Sequence, residues 1–144
     1  MFQILIAEDD KNTRKLMEAV LKCNGFNPIP ASSGEEALKL LDRHHIDLAV
    51  LDIMMPGMDG YELTRHLRSM DYNLPILMVT AKVLPEDKRK GFMAGTDDYM
   101  TKPVDEEEMV LRIRALLRRA QIASERKITI GSVTLDYDSL SVTR

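Results

Sequence analysis

The chain has 144 residues, 20 Lys plus Arg against 23 Asp plus Glu, and 44% hydrophobic residues, enough for one ordinary globular core and too little for two full domains. A formal charge of -3 and a pI near 5.6 argue against a chain whose main surface binds nucleic acid, because such domains carry a basic excess. The single cysteine, Cys23, excludes an internal disulfide and a cysteine-rich zinc site, and is ordinary in a reducing compartment.

Met1 leads straight into Phe2-Gln3-Ile4-Leu5-Ile6-Ala7 with no basic segment ahead, and no apolar run nears the roughly 20 residues of a membrane span. The expectation is a cytoplasmic protein with no membrane contact and a first strand at its start. Apolar runs occur at residues 4–7, 48–51 and 75–79 and, more weakly, at 26–31 and 98–101. Between them apolar residues recur at helical intervals: Leu16, Met17, Val20 and Leu21; Ala37, Leu38 and Leu41; Leu63, Leu67 and Met70; then Met109, Val110, Ile113, Leu116 and Leu117. The order is strand then helix, five times.

Strands joined by helical crossovers run parallel, and a parallel sheet needs helices on both faces. Continuous apolar runs mark strands buried on both sides, which places 4–7, 48–51 and 76–79 in the middle. Pro28 and Pro30 each remove a ladder donor from the second run, and the fifth is short and polar, so both belong at edges. The prediction is a (βα)5 doubly wound, parallel five-stranded sheet of order 2-1-3-4-5.

Asp105, Glu106, Glu107 and Glu108 open the last helix, and Arg118 and Arg119 suit its end, which is predicted near Arg119 or Ala120. Residues 121–127 read as a polar linker, and 128–135 change to a strand-and-turn pattern. The expected organisation is one domain over 1–120, a linker over 121–127, and the incomplete start of a second domain over 128–144, which is too short to stand alone.

Ligands of open parallel sheets bind beyond the carboxyl ends of the strands where the winding reverses, here between the first and third strands. Those ends carry Glu8, Asp9 and Asp10, then Asp52, Thr80 and Lys102. Neighbouring strands lie about 4.8 Å apart, so Asp9 and Asp52 are expected to face each other with Glu8 close by. Carboxylates so placed take up a proton or share a cation, and an all-oxygen site suits Mg²⁺, with Mn²⁺ as a substitute. A divalent ion and an ammonium around one carboxylate also match the needs of phosphoryl transfer. Asp52, alone on a central strand, is the nucleophile candidate; Glu8 and Asp9 are the metal-holding pair, and Asp10 reads as a helix cap.

The residues 4–10, then Leu51-Asp52-Ile53-Met54-Met55-Pro56-Gly57-Met58-Asp59-Gly60, then Val79-Thr80-Ala81, then Asp97-Asp98-Tyr99-Met100-Thr101-Lys102-Pro103 together resemble the receiver domain of two-component response regulators over about residues 2–120. The resemblance implies a flavodoxin- or CheY-like fold and an Asp52 that accepts a phosphoryl group from a phosphohistidine of a sensor histidine kinase. It implies that Glu8, Asp9, Asp52 and the backbone carbonyl of Met54 arrange Mg²⁺, that Lys102 holds the phosphate, that Thr80 and Tyr99 form a switch pair, and that Lys102–Pro103 is cis. The product is a phosphoacceptor signalling protein with only slow self-catalysed phosphorylation and dephosphorylation, not an enzyme.

The Asp97-Asp98-Tyr99 run, the charged last helix and the tail resemble the OmpR/PhoB subfamily. That likeness implies a winged-helix DNA-binding effector beginning at 128–144, DNA contact only through the complete effector, and transcription regulation as the output. It also implies a homodimer through the fourth helix, fifth strand and fifth helix, with Lys88 paired to Glu108 and Asp98 to Arg112 across it. Thr96 stands where these proteins often carry alanine.

Three other readings compete, of which a nucleotide-binding module finds neither G-x-x-x-x-G-K-[ST] nor G-x-G-x-x-G in the sequence. A phosphatase of the haloacid dehalogenase type needs a second Asp two residues after the nucleophile, and Met54 occupies that position. A stand-alone receiver acting by protein contact differs only in what its output is. His44, His45 and His66 lack metal-ligand spacing and read as surface residues.

Overall fold

The computed structural model describes residues 1–71, 73–81 and 84–133. Strands β1 (Gln3–Ala7), β2 (Asn27–Ala31), β3 (Leu48–Leu51), β4 (Ile76–Thr80) and β5 (Asp98–Thr101) alternate with helices α1 (Lys11–Cys23), α2 (Gly34–Arg43), α3 (Gly60–Met70), α4 (Pro85–Ala94) and α5 (Glu106–Val133). All four strand pairings are parallel, in the order β2-β1-β3-β4-β5. The predicted topology, with its central and edge strands, is therefore the observed one.

Alternate residues of the central strands feed two separate cores, as a sheet buried on both faces requires. Ile4, Ile6, Leu48, Val50, Leu77 and Val79 face α1 and α5, meeting Met17, Leu21, Met109 and Ile113. Leu5, Ala7, Ala49, Leu51 and Ile76 face the other way, toward Ala37 of α2 and Leu63 and Leu67 of α3. Each fully buried Leu or Ile among them contributes roughly 1.5–3 kcal/mol. A third, smaller cluster joins Ile53, Tyr61, Met78, Ala94 and Tyr99 beneath α4.

The helix starts follow from local chemistry. Asp10 caps α1 by accepting from Thr13 N at 2.9 Å, Ser33 caps α2 by accepting from Glu36 N at 3.0 Å, and Asp59 caps α3 by accepting from Glu62 N at 2.9 Å. Asp10 is the helix cap the sequence suggested.

The end of α5 departs from expectation. The helix continues to Val133 instead of stopping near Arg119 or Ala120, so the predicted linker 121–127 and the first residues of the predicted strand are helical. Residues 121–127 contain neither Gly nor Pro and several strong helix formers, so nothing local breaks the ladder. Over 128–133 no strand of the described chain lies alongside to pair with the backbone, and the helix satisfies its own N–H and C=O groups. The rest of the expected second segment, 134–144, lies outside the described residues. Among the described residues no helix is long and apolar enough to cross a membrane.

Candidate functional site

The acidic rim is built by strand register. Ala7 pairs with Leu51, and Asp52 N donates to Ala7 O at 3.0 Å, which sets Glu8 beside Asp52 one step further along. Glu8 and Asp52 are nearly sealed from solvent, at 1% and 4% exposure, while Asp9 is exposed on the lip. The sequence pointed to Asp9 as the residue facing Asp52. Register brings Glu8 level with Asp52, and an Asp9 oxygen also lies within 4.8 Å of one on Asp52, so the three acids gather at one point of the rim.

Lys102, delivered by β5 and followed by a cis bond to Pro103, reaches both buried acids. Its Nζ lies 2.8 Å from Glu8 Oε1 and 2.9 Å from Asp52 Oδ2. Burial works against the ammonium, but its contacts with the Glu8 and Asp52 carboxylates outweigh that and hold Lys102 above its usual pKa. Burial pushes the Glu8 carboxyl up, against the pull of Lys102 and of the Asp10 N–H, which donates to Glu8 Oε2 at 3.1 Å. Met54 N donates to Asp52 Oδ1 at 3.2 Å, so both Asp52 oxygens are oriented.

Carboxylate oxygens of Glu8, Asp9 and Asp52 all lie within 4.8 Å of one another. The Asp9 carboxylate has no hydrogen-bond or ion-pair partner among the described residues. Glu8 Oε1 touches Lys102 but lacks the alignment of a hydrogen bond and accepts none from elsewhere in the described chain. A buried acid so incompletely satisfied, beside an open carboxylate, fits a hard divalent cation with oxygen ligands.

Thr80 is fully buried at the end of β4, next to β3, and its carbonyl accepts from Lys102 N at 2.8 Å. Tyr99 is outside the acid cluster; it packs in the α4 cluster, and burial, with smaller contributions from Tyr61, Asp87 and Asp52, raises its phenol to about 12. Around it lie the other residues of the expected dimer face. Lys88 Nζ is 5.9 Å from the Tyr99 ring centroid. Arg112 Nη1 pairs with Asp98 at 2.9 Å and Arg112 Nη2 with Glu108 at 2.8 Å. Asp98 and Arg112, expected to meet across a dimer, thus already meet within one chain.

Sequence reasoning passed over Arg14. From the second turn of α1 its Nη1 donates to Glu8 O at 2.8 Å and, more loosely, to Asp9 O at 3.4 Å, gripping the backbone of the acid loop. A cation four residues after the capping Asp10 was the available signal. Thr96 places its hydroxyl 3.0 Å from Ile76 O and 2.8 Å from Asp98 O, so it stitches β4 to β5 where alanine cannot. His44, His45 and His66 are exposed, as expected, with His45 Nε2 held 2.9 Å from Asp47 Oδ1.

The response regulator receiver domain family matches residues 4–114. The chain is 42% identical over 142 residues to the heme response regulator HssR of Staphylococcus aureus, a match covering 99% of this chain and 63% of the relative. It thus spans less than two thirds of the length of that relative. Among solved structures it resembles the Francisella response regulator 1452 receiver domain, with 34% identity, a TM-score of 0.78, and 83% of this chain and 98% of that one covered. It also resembles the Thermotoga maritima response regulator TrrA in complex with Mg(2+)-BeF, at 30% identity and a TM-score of 0.74, covering 81% and 99%. With a buried Asp52 between a lysine and an acidic pair on the expected topology, the chain belongs to the response regulator receiver domain family.

Proposed function

We propose that Asp52 is a phosphoacceptor, taking a phosphoryl group from a phosphohistidine of a sensor histidine kinase. The observation that carries this reading is the setting of Asp52: 4% exposed, 2.9 Å from Lys102 Nζ, and within 4.8 Å of the oxygens of Glu8 and Asp9. An Asp52 oxygen forms a bond to phosphorus as the bond from phosphorus to the imidazole nitrogen breaks, and that nitrogen keeps the electron pair. Lys102 then holds a phosphoryl oxygen in place of part of its contact with Asp52.

Glu8, Asp9, Asp52 and the Met54 carbonyl would hold Mg²⁺, with Mn²⁺ as a substitute; when bound, the ion offsets charge on the phosphoryl oxygens. The TrrA complex with Mg(2+)-BeF supports that assignment. No acid-base carboxylate stands at Met54, which fits a signalling protein with slow self-catalysed turnover, not a phosphatase.

Phosphorylation then shifts a two-state packing in which Thr80 and Tyr99 take part, and the face formed by α4, β5 and α5 dimerises. On that face Lys88 would pair with Glu108, and the Asp98–Arg112 pair would exchange partners between copies. The OmpR/PhoB-like reading extends this to a cytoplasmic transcription regulator. In it residues 1–120 are the receiver, 121–127 the connection, and 128–144 the start of a DNA-binding effector. Its support is a match to a longer relative that extends beyond residue 114. The test is labelling with acetyl phosphate and Mg²⁺: the wild-type chain takes up phosphate and Asp52→Asn does not. Undiminished labelling of the variant would overturn the assignment.

A further inference from the structure

Helix α4 is lightly held. Its buried residues are Gly91 and Ala94, and Leu84 gives its first turn no side-chain cap. Among the described residues, side-chain hydrogen bonds reach this helix and its cap from opposite ends of α3. At the carboxyl end, Arg68 Nε donates to Gly95 O at 2.8 Å while Nη2 of the same guanidinium binds Asp97 Oδ2 at 2.6 Å. Near the start, the Tyr61 hydroxyl donates to Asp87 O at 3.1 Å, and Lys90 Nζ sits 4.7 Å from the Tyr61 ring centroid.

Tyr61 is also tied to the phosphoacceptor. It follows Gly60, whose N–H donates to Ile53 O at 2.9 Å and whose α-carbon is wedged against the Asp52–Ile53 backbone. Its ring belongs to the cluster of Ile53, Met78, Ala94 and Tyr99, and Gly91 allows α4 to lie close on the Tyr99 ring. A continuous set of contacts therefore runs from the Asp52 backbone through the first turn of α3 to the backbone of α4.

We propose that Tyr61 is a positioning residue of the switch, its hydroxyl latching the first half of α4 in the resting packing and releasing Asp87 O when the Asp52 site is filled. The proposal rests on the phosphoacceptor reading of Asp52. A bond made only in the resting packing favours that packing. Removing the hydroxyl while keeping the ring shifts the balance, and any ligand that selects the other packing then binds more tightly by the same factor. The loss of one such hydrogen bond corresponds to roughly a three- to tenfold change.

The experiment compares the wild-type 144-residue chain with Tyr61→Phe, after thermal melts show both folded. Beryllofluoride with Mg²⁺ is titrated while amide hydrogen exchange is followed across α4. In the resting state Tyr61→Phe should exchange faster over residues 87–94, its beryllofluoride midpoint should fall roughly three- to tenfold, and the saturated proteins should match. An unchanged midpoint overturns the latch, whether or not resting exchange quickens, and leaves Asp52 as phosphoacceptor if the wild type still responds. A wild-type chain that shows no beryllofluoride response at all overturns the Asp52 reading and the latch with it.

Discussion

Gly60 stands against the Asp52 carbonyl with no room for a side chain. A Cβ at position 60 would collide with Asp52 O and lie 2.7 Å from Ile53 Cα, both of them backbone atoms that cannot swing aside. Gly60→Ala should therefore cost about 3 kcal/mol, measured by urea unfolding, and should lower phosphate uptake by displacing the strand end that carries Asp52.

Lys102 is the cation shared by two buried acids. Lys102→Met should destabilise the chain by less than the roughly 3–5 kcal/mol of a fully buried broken pair, because its side chain is 21% exposed and the raised pKa of Glu8 eases its neutralisation. Added Mg²⁺ should raise the melting temperature of this variant more than that of the wild type, since the ion replaces the missing charge. Equal shifts would count against a metal at the acid cluster.

Arg14 fixes the carbonyls of Glu8 and Asp9 rather than their carboxylates. Arg14→Ala should weaken Mn²⁺ binding about tenfold, read by electron paramagnetic resonance of the free ion. Arg14→Lys should restore part of the affinity, and a loss of stability alone with no change in affinity would reduce Arg14 to a packing role.

Glu36 accepts from Ser32 N at 2.6 Å and Ser32 Oγ at 2.9 Å. The backbone bond first and the hydroxyl second hold its carboxyl below the usual range. A depressed acid stabilises the fold above its unfolded pKa and loses that contribution as pH falls through the folded value. Glu36→Gln should thus melt lower than the wild type at pH 7, with the gap closing through the acid range.

Much of the fold was legible because its determinants are local. Unbroken apolar runs marked β1, β3 and β4, Pro28 and Pro30 marked an edge, and the strand-end rule gathered Glu8, Asp9, Asp52, Thr80 and Lys102 on one rim. What escaped were contacts between a side chain and a distant backbone. Tyr61 reaches Asp87 and Arg68 reaches Gly95, spans that no periodicity records. The continuation of α5 through 121–127 turned on the absence of a breaker there, a weaker signal than the polar composition that suggested a linker.

The two prolines of β2 carry a consequence for the sheet as a whole. Asn27 N donates inward to Phe2 O at 2.9 Å, so the alternate positions 28 and 30 are those whose amides would point out of the sheet, and Pro28 and Pro30 have none. A foreign extended segment laid along this border would find carbonyls but few amides, and could not be templated onto it. Growth of the sheet by accretion of further molecules is blocked on that flank.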